Sequence, residues 1–374
     1  MKSIKIGYIG IKGLPSLDGA SRVVENIIFN LDKNKYKITV YSNGKYYPKR
    51  DHFSDFTKIT IPYLPVSNNI NTFLYFLNSA LHSLFFGDYD LVHLHNIDCA
   101  FIIPILKLKY KVICTSHGSD FSELGKWGPL GNMYFKIMNW IFFKYSEYIT
   151  TVSPIEARKY NTINSRIVCY IPNGVNLEEK PNIFDIDKIL EQFDLKNEYI
   201  LFSAGRIIPV KGLHILLNAL IKINYKDKCA IIGDLNQTKE YRQTILKLIH
   251  ETGSVYLGFI RDKSKLLGVI LKSSIFVFPS LLENMSMMLL EVASIKTPII
   301  CSDIPANTAI FSDDEVLFFK SGDVQDLAEK LKWAISNPDE MKKKSLRAYN
   351  KVNKKYLWSN ITKQYEKLYQ QILR

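Results

Sequence analysis

The chain has 374 residues, 47% of them hydrophobic, with 49 Lys and Arg against 36 Asp and Glu for a formal net charge of +13. That length and apolar content exceed one ordinary domain and supply two full cores, while five scattered cysteines, Cys99, Cys114, Cys169, Cys229 and Cys301, point to a reducing cytosol and not to a disulfide framework or zinc site. No signal peptide or spanning helix is read, and the basic surplus, heavier in the N-terminal half, fits an anionic bilayer, a phosphorylated substrate, nucleic acid or simply a solvated Lys-rich surface.

In chain order, short β-rich apolar runs alternate with stretches of helical spacing, the pattern of parallel α/β units. Ile4–Ile9 reads as the first strand, followed by a glycine-rich loop and a helix over Ala20–Leu31. Further strands are expected at Ile38–Tyr41, Leu91–Leu94, Lys111–Thr115, Tyr148–Val152 and Ile167–Ile171. Glu178–Asn197, charged and containing Pro181, reads as a connection with one short helix. The pattern restarts at Tyr199–Ser203 and continues through Cys229–Ile232, Val255–Leu257, Ile275–Phe278 and Ile299–Cys301. The expected fold class is α/β, two tandem doubly wound Rossmann-like domains at 1–175 and 199–350 with a linker at 176–198. A C-terminal helix over 351–374, with Trp358, Ile361, Tyr365, Leu368 and Ile372 as its apolar stripe, is expected to pack back towards the N-terminal domain. Open parallel sheets bind ligands beyond the carboxyl ends of their strands, so two such domains are expected to face an interdomain cleft.

Each strand-to-helix junction offers free N–H groups and a positive helix end to an anion. The first loop is spaced G-x-x-G-x-x-G (Gly7, Gly10, Gly13), and the second strand ends in Tyr41-Ser42-Asn43 with no acid for a ribose hydroxyl, so a nicotinamide or flavin fingerprint is poorly supported. A P-loop motif is absent. Ser203–Gly212 opens a helix after a strand and delivers Arg206 and Lys211, two cations suited to a leaving nucleoside diphosphate; ordinary loop cations remain the alternative. After the buried strand ending at Pro279 come Glu283 on a loop and Glu291 a little over two helical turns later. Carboxylates there suit vicinal sugar or ribose hydroxyls, although by themselves they also read as a helix-start acid and a surface acid.

Taken in order, the Gly10–Gly19 loop, Thr115-Ser116-His117-Gly118, Thr151-Val152-Ser153, Ile171–Asn176, the Gly205–Gly212 loop and Glu-x7-Glu at 283 and 291 resemble the retaining GT-B glycosyltransferases of family 4. The resemblance runs nearly the whole length and is of the bacterial surface-polysaccharide type. It implies that 1–175 is the acceptor side and 199–350 the nucleotide-sugar side. Arg206 and Lys211 would hold the diphosphate, Glu291 the ribose hydroxyls and Glu283 the donor sugar. Backbone N–H groups of Asn284, Met285, Ser286 and Met287, and of Gly19, would approach sugar and phosphates, and His117 would hydrogen-bond the donor sugar near the reacting carbon. The implied reaction is front-face hexose transfer with retained configuration, the departing phosphate helping to deprotonate the acceptor, without cofactor or metal.

Two departures touch the sugar pocket: Glu283-Asn284-Met285-Ser286 stands where the family commonly has Glu-Gly-Phe-Gly, and Gly19-Ala20 replaces a Gly-Gly pair. Asp88-Tyr89-Asp90 matches a metal-binding D-x-D string of another glycosyltransferase fold, but precedes a strand and so reads as structural; His93 and His95 are expected on one face near the sheet's carboxyl edge. Leu130–Tyr148 and Asn71–Phe86, rich in aromatics, read either as core helices for most of their side chains or as a peripheral surface for an anionic membrane. The expectation is a cytoplasmic enzyme, at the inner membrane face in the second reading, acting on a nucleotide sugar and a glycan or lipid-linked acceptor and not on nucleic acid. A sugar-nucleotide epimerase and a catalytically silent sugar-binding or scaffold protein are the rivals.

Overall fold

The computed structural model describes residues 3–16, 18–46, 55–118, 128–163, 167–177, 181, 186–195 and 199–374. Leu17 of the first-loop pattern and residues 178–180, 182–185 and 196–198 of the expected connection lie outside them. Two compact units emerge, Met1–Asn173 together with Trp358–Arg374, and Gly174–Leu357.

The first unit runs β1 (Ile4–Ile9), α1 (Gly19–Asn30), β2 (Tyr36–Asn43), β3 (Thr57–Ile61), α2 (Asn68–Phe86), β4 (Leu91–His95), α3 (Ile103–Leu106), β5 (Lys111–Ser116), α4 (Pro129–Tyr145), β6 (Tyr148–Thr151), α5 (Pro154–Ile163) and β7 (Val168–Tyr170). Its seven described strands form a parallel sheet ordered β3-β2-β1-β4-β5-β6-β7, so strand order reverses between β1 and β4. The second unit runs α6 (Ile186–Gln192), β8 (Ile200–Arg206), α7 (Leu213–Lys222), β9 (Cys229–Asp234), α8 (Lys239–Thr252), β10 (Val255–Gly258), α9 (Lys263–Leu271), β11 (Ile275–Phe278), α10 (Met287–Ser294), β12 (Ile299–Ser302), α11 (Pro305–Thr308), β13 (Leu317–Phe319), α12 (Val324–Ser336) and α13 (Pro338–Lys355). Its described sheet, also parallel, is ordered β10-β9-β8-β11-β12-β13 and reverses between β8 and β11. The last helix, α14 (Trp358–Leu373), belongs to the first unit and packs on α1.

These are the two Rossmann-like domains expected from alternation. The two strands periodicity missed, β3 and β13, are both sheet edges. Edge strands are short and partly solvated, and most of β3 is incompletely buried, so neither gives the continuous apolar run of an interior parallel strand. β8 extends to Arg206 because its pairing with β9 continues across an irregularity between Ala204 and Arg206.

Core packing explains α14. Trp358, Ile361, Tyr365, Tyr369 and Ile372 are buried; Leu368, expected on the stripe, is only partly so, and Tyr369 takes its place. The Tyr369 hydroxyl lies 2.8 Å from both the Tyr8 hydroxyl and His93 Nδ1, so the polar tip buried with the ring finds partners in β1 and β4. At the opposite, amino edge, the Lys5 N–H donates to Asp90 Oδ2 at 2.7 Å and the Lys5 ammonium pairs with Asp88. Tyr89 packs where a Cβ on Gly7 would stand. The D-x-D string is thus a structural clamp between β1 and β4.

Candidate functional site

In the second unit the strand-order reversal places the loops after β8 and β11 side by side at the carboxyl edge, where an open sheet binds ligands. Ile207 is buried and donates its N–H to Asp234 O at 2.8 Å, which anchors the chain as it leaves β8 and leaves the Arg206 side chain exposed. A single 3₁₀ turn, Pro209–Lys211, then ends at Gly212 with φ +72°. A Cβ at Gly212 would stand 2.0 Å from Pro279 O, so only glycine permits this loop to lie against the one after β11. The Leu281 N–H closes the junction by donating to Val210 O at 2.8 Å.

That contact brings two of the expected residues together: Lys211 Nζ lies 2.5 Å from Glu283 Oε1, with the side chains 24% and 13% exposed. Arg206, Lys211 and Glu283 therefore come from two adjacent loops of one unit. Asn284 is exposed, Met285 is buried, and Met287 begins α10. Ser286 is a buried N-cap whose hydroxyl accepts from the Leu289 N–H at 3.4 Å. Of the two altered polar positions, only Asn284 presents its side chain to solvent. The loop is braced from beneath, where Ser302 Oγ donates to Ser280 O at 2.5 Å and Asn307 Nδ2 to Ser302 O at 2.9 Å.

Glu291 lies in α10 and is 4% exposed, and its carboxylate is ion-paired with Lys263 at the start of α9. Sequence reasoning missed Lys263. The signal was available, because Arg261-Asp262-Lys263 follows β10 at the same strand-end edge, with Asp262 capping α9 through the N–H groups of Ser264 and Lys265.

In the first unit, His93, His95 and His117 form a short stack. His93 uses both ring nitrogens, Nδ1 to Tyr369 and Nε2 to Thr115 Oγ1 at 2.6 Å. His95 Nδ1 lies 2.9 Å from His117 Nε2, and one of these nitrogens donates to the other. Burial pushes His93 down to about 3 and His117 to about 4, the latter opposed by the charge of Asp18, and holds His95 well below its ordinary value. The stack is therefore neutral at pH 7, with the partly exposed His117 at its outer end. Among the described residues no His, Cys, Asp and Glu cluster suits a metal ion. Gly19 is the first residue of α1, whose N-cap Asp18 accepts from the Ser21 N–H at 3.0 Å. Gly19 and His117 thus belong to the first unit, whereas Arg206, Lys211, Glu283 and Glu291 belong to the second.

Comparison with known proteins gives this geometry a context. Residues 17–179 match the model for Glycosyltransferase Family 4, and residues 185–352 match that for Glycosyl transferases group 1. The chain is 24% identical over 333 residues to an uncharacterized glycosyltransferase of Methanocaldococcus jannaschii, spanning 84% of this chain and 82% of that protein. It is 24% identical over 302 residues to phosphatidyl-myo-inositol mannosyltransferase of Mycobacterium tuberculosis, spanning 76% and 75%. Among solved structures it superposes with a TM-score of 0.81 and 15% identity on Anabaena HepE in complex with UDP and glucose, covering 98% of this chain and all of that one.

Proposed function

Since the chain belongs to the family 4-like glycosyltransferases of GT-B fold, we propose that it moves a hexose from a nucleotide diphosphate sugar to a glycan or lipid-linked glycan, with retention and without a metal. The observation that supports this most directly is the junction of the two strand-end loops at the β8/β11 reversal, which sets Lys211 against Glu283, with the exposed Arg206 at the end of β8. Arg206 and Lys211 would take the two phosphates, whose charge rises as the glycosidic bond breaks, and so lower the barrier in the absence of a divalent ion. Glu283 would accept from donor-sugar hydroxyls and Glu291 from the ribose. N–H groups from Asn284 to Met287 at the start of α10, and that of Gly19 at the start of α1, would approach sugar and phosphates. His117, neutral at pH 7, would hydrogen-bond the donor sugar, and the departing phosphate would take the acceptor proton.

The UDP and glucose of the Anabaena structure and the mannosyl transfer to a lipid named for the mycobacterial relative support these donor and acceptor classes. The setting proposed is the cytoplasm, with surface-polysaccharide assembly as the process served. The test is a donor panel assayed for nucleoside diphosphate release, with and without lipid-linked acceptors and with EDTA. Turnover that survives EDTA and collapses in Arg206→Ala, Lys211→Ala and Glu291→Ala is expected. Full turnover in those variants refutes the site, and absence of release with every donor favours a silent sugar-binding protein.

A further inference from the structure

His95, the last residue of β4, is fully buried, and both its backbone and its ring are held in place. A Cβ on Gly10 would stand 2.0 Å from His95 O, and Asn96 Nδ2 donates to Gly10 O at 2.7 Å, so the ends of β1 and β4 are locked together. The His95 ring stacks on Tyr8 and on His117, with centroids 5.7 and 5.2 Å away and planes inclined by 26° and 19°. The centroid of His93 lies 4.1 Å away. Flanked in this way, the imidazole has little freedom to turn.

Its two nitrogens have unequal surroundings. Nδ1 lies 2.9 Å from His117 Nε2, whereas Nε2 is buried and meets no hydrogen-bond partner among the described residues. The polar atoms of the neighbouring rings are already engaged: Tyr8 and His93 both bond to Tyr369, and the second nitrogen of His93 bonds to Thr115. His95 and His117 are neutral at pH 7, so each carries one N–H, and the bond between them runs in one of two directions. Were His117 the donor, the His95 proton would sit on Nε2 as a buried N–H with no acceptor. With His95 as the donor, Nε2 keeps only an unpaired acceptor site. Protein interiors leave acceptors unsatisfied more often than N–H donors, and the second arrangement wins.

We propose that His95 is a positioning residue for His117: its Nδ1–H donates to His117 Nε2, fixes the His117 proton on Nδ1 and makes that N–H the group His117 offers to a ligand. An N–H donates to any sugar oxygen, ring and glycosidic oxygens included. The opposite tautomer would offer a lone pair and could engage only hydroxyl protons. That the ligand is the donor sugar rests on the function proposed above; the direction of the bond and the tautomer do not.

Isotopic labelling of histidine nitrogens in the full chain, with long-range proton–nitrogen correlation at pH 7, reads the tautomers directly, and His117→Gln and His95→Leu assign the signals. A protonated Nδ1 and a bare Nε2 are expected on both rings. His95→Leu keeps the bulk and removes the donor, so His117 should relax to a mixture of tautomers. Its kcat should fall by about 10- to 100-fold with donor KM little changed, the range typical when the partner orienting a functional imidazole is lost. His95→Asn, whose amide can set an N–H near the former Nδ1, should restore the single tautomer and most of the turnover, a rescue that mere space-filling would not give. A protonated Nε2 on His117 in the wild-type chain overturns the proposal even if His95→Leu fails to fold, as does a His117 spectrum unchanged by a folded His95→Leu. A changed tautomer with unaltered turnover in both His95→Leu and His117→Gln upholds the bond and refutes instead the placing of the donor sugar at His117.

Discussion

Glu283→Gln separates the two roles that the proposed donor site would give to one ion pair. The Lys211 ammonium rests 2.5 Å from the Glu283 carboxylate, so a diphosphate bound as proposed would compete with that carboxylate for the cation. Unit charges about 4 Å apart attract by ~4 kcal/mol at an effective dielectric of 20. Both groups retain some solvent, and the glutamine oxygen still accepts a hydrogen bond, so a net gain of about 1 to 2 kcal/mol in nucleoside diphosphate binding is expected, roughly 5- to 30-fold. Turnover should move the other way, because the neutral amide is the weaker partner for sugar hydroxyls; loss of one charged transition-state contact typically costs about 10²- to 10³-fold. Calorimetric titration with UDP, GDP and ADP, beside steady-state kinetics on the preferred donor, reads both quantities. Weaker binding of every nucleoside diphosphate to Glu283→Gln, or unchanged turnover, would refute the shared use of Lys211 by carboxylate and phosphate.

Lys263→Met removes one ion-pair partner of the nearly buried Glu291 and should cost about 1 to 3 kcal/mol of stability together with nucleotide affinity. The double variant Lys263→Met, Glu291→Gln should regain the stability but not the affinity, which thermal melts and nucleotide titration distinguish. Gly212→Ala places a Cβ against Pro279 O at a left-handed φ, so a loss of more than about 2 kcal/mol and a fall in kcat are expected, and an unperturbed melt would refute the loop junction. The histidine stack makes stability depend on acid. His117 titrates near 4 in the folded chain against an ordinary 6.5, so the unfolded chain binds the extra proton between those values. Its contribution is complete above pH 6.5 and is lost as pH falls towards 4, so melting temperature should decline across that window and His117→Gln should flatten the slope.

Much of the fold was legible because interior parallel strands are buried on both faces. Runs such as Ile275–Phe278 and Ile299–Cys301 announce themselves as unbroken apolar stretches whatever their neighbours do. Edge strands β3 and β13 lack that double burial, and their patterns faded accordingly. The sequence by itself determined the two-domain α/β plan and, through motif order, where Arg206, Lys211, Glu283 and Glu291 stand along it. Only tertiary structure decided their partners. Glu283 is joined to Lys211 because Gly212 lets two loops touch across a strand-order reversal, and Glu291 is joined to Lys263 from a different helix. The same limit governs the aromatic helices, since helical spacing defines a stripe whereas burial depends on what packs against it. Met138, Phe142 and Phe143 are covered by neighbouring elements, while Leu130, Ile137 and Trp140, one face away, are left to solvent.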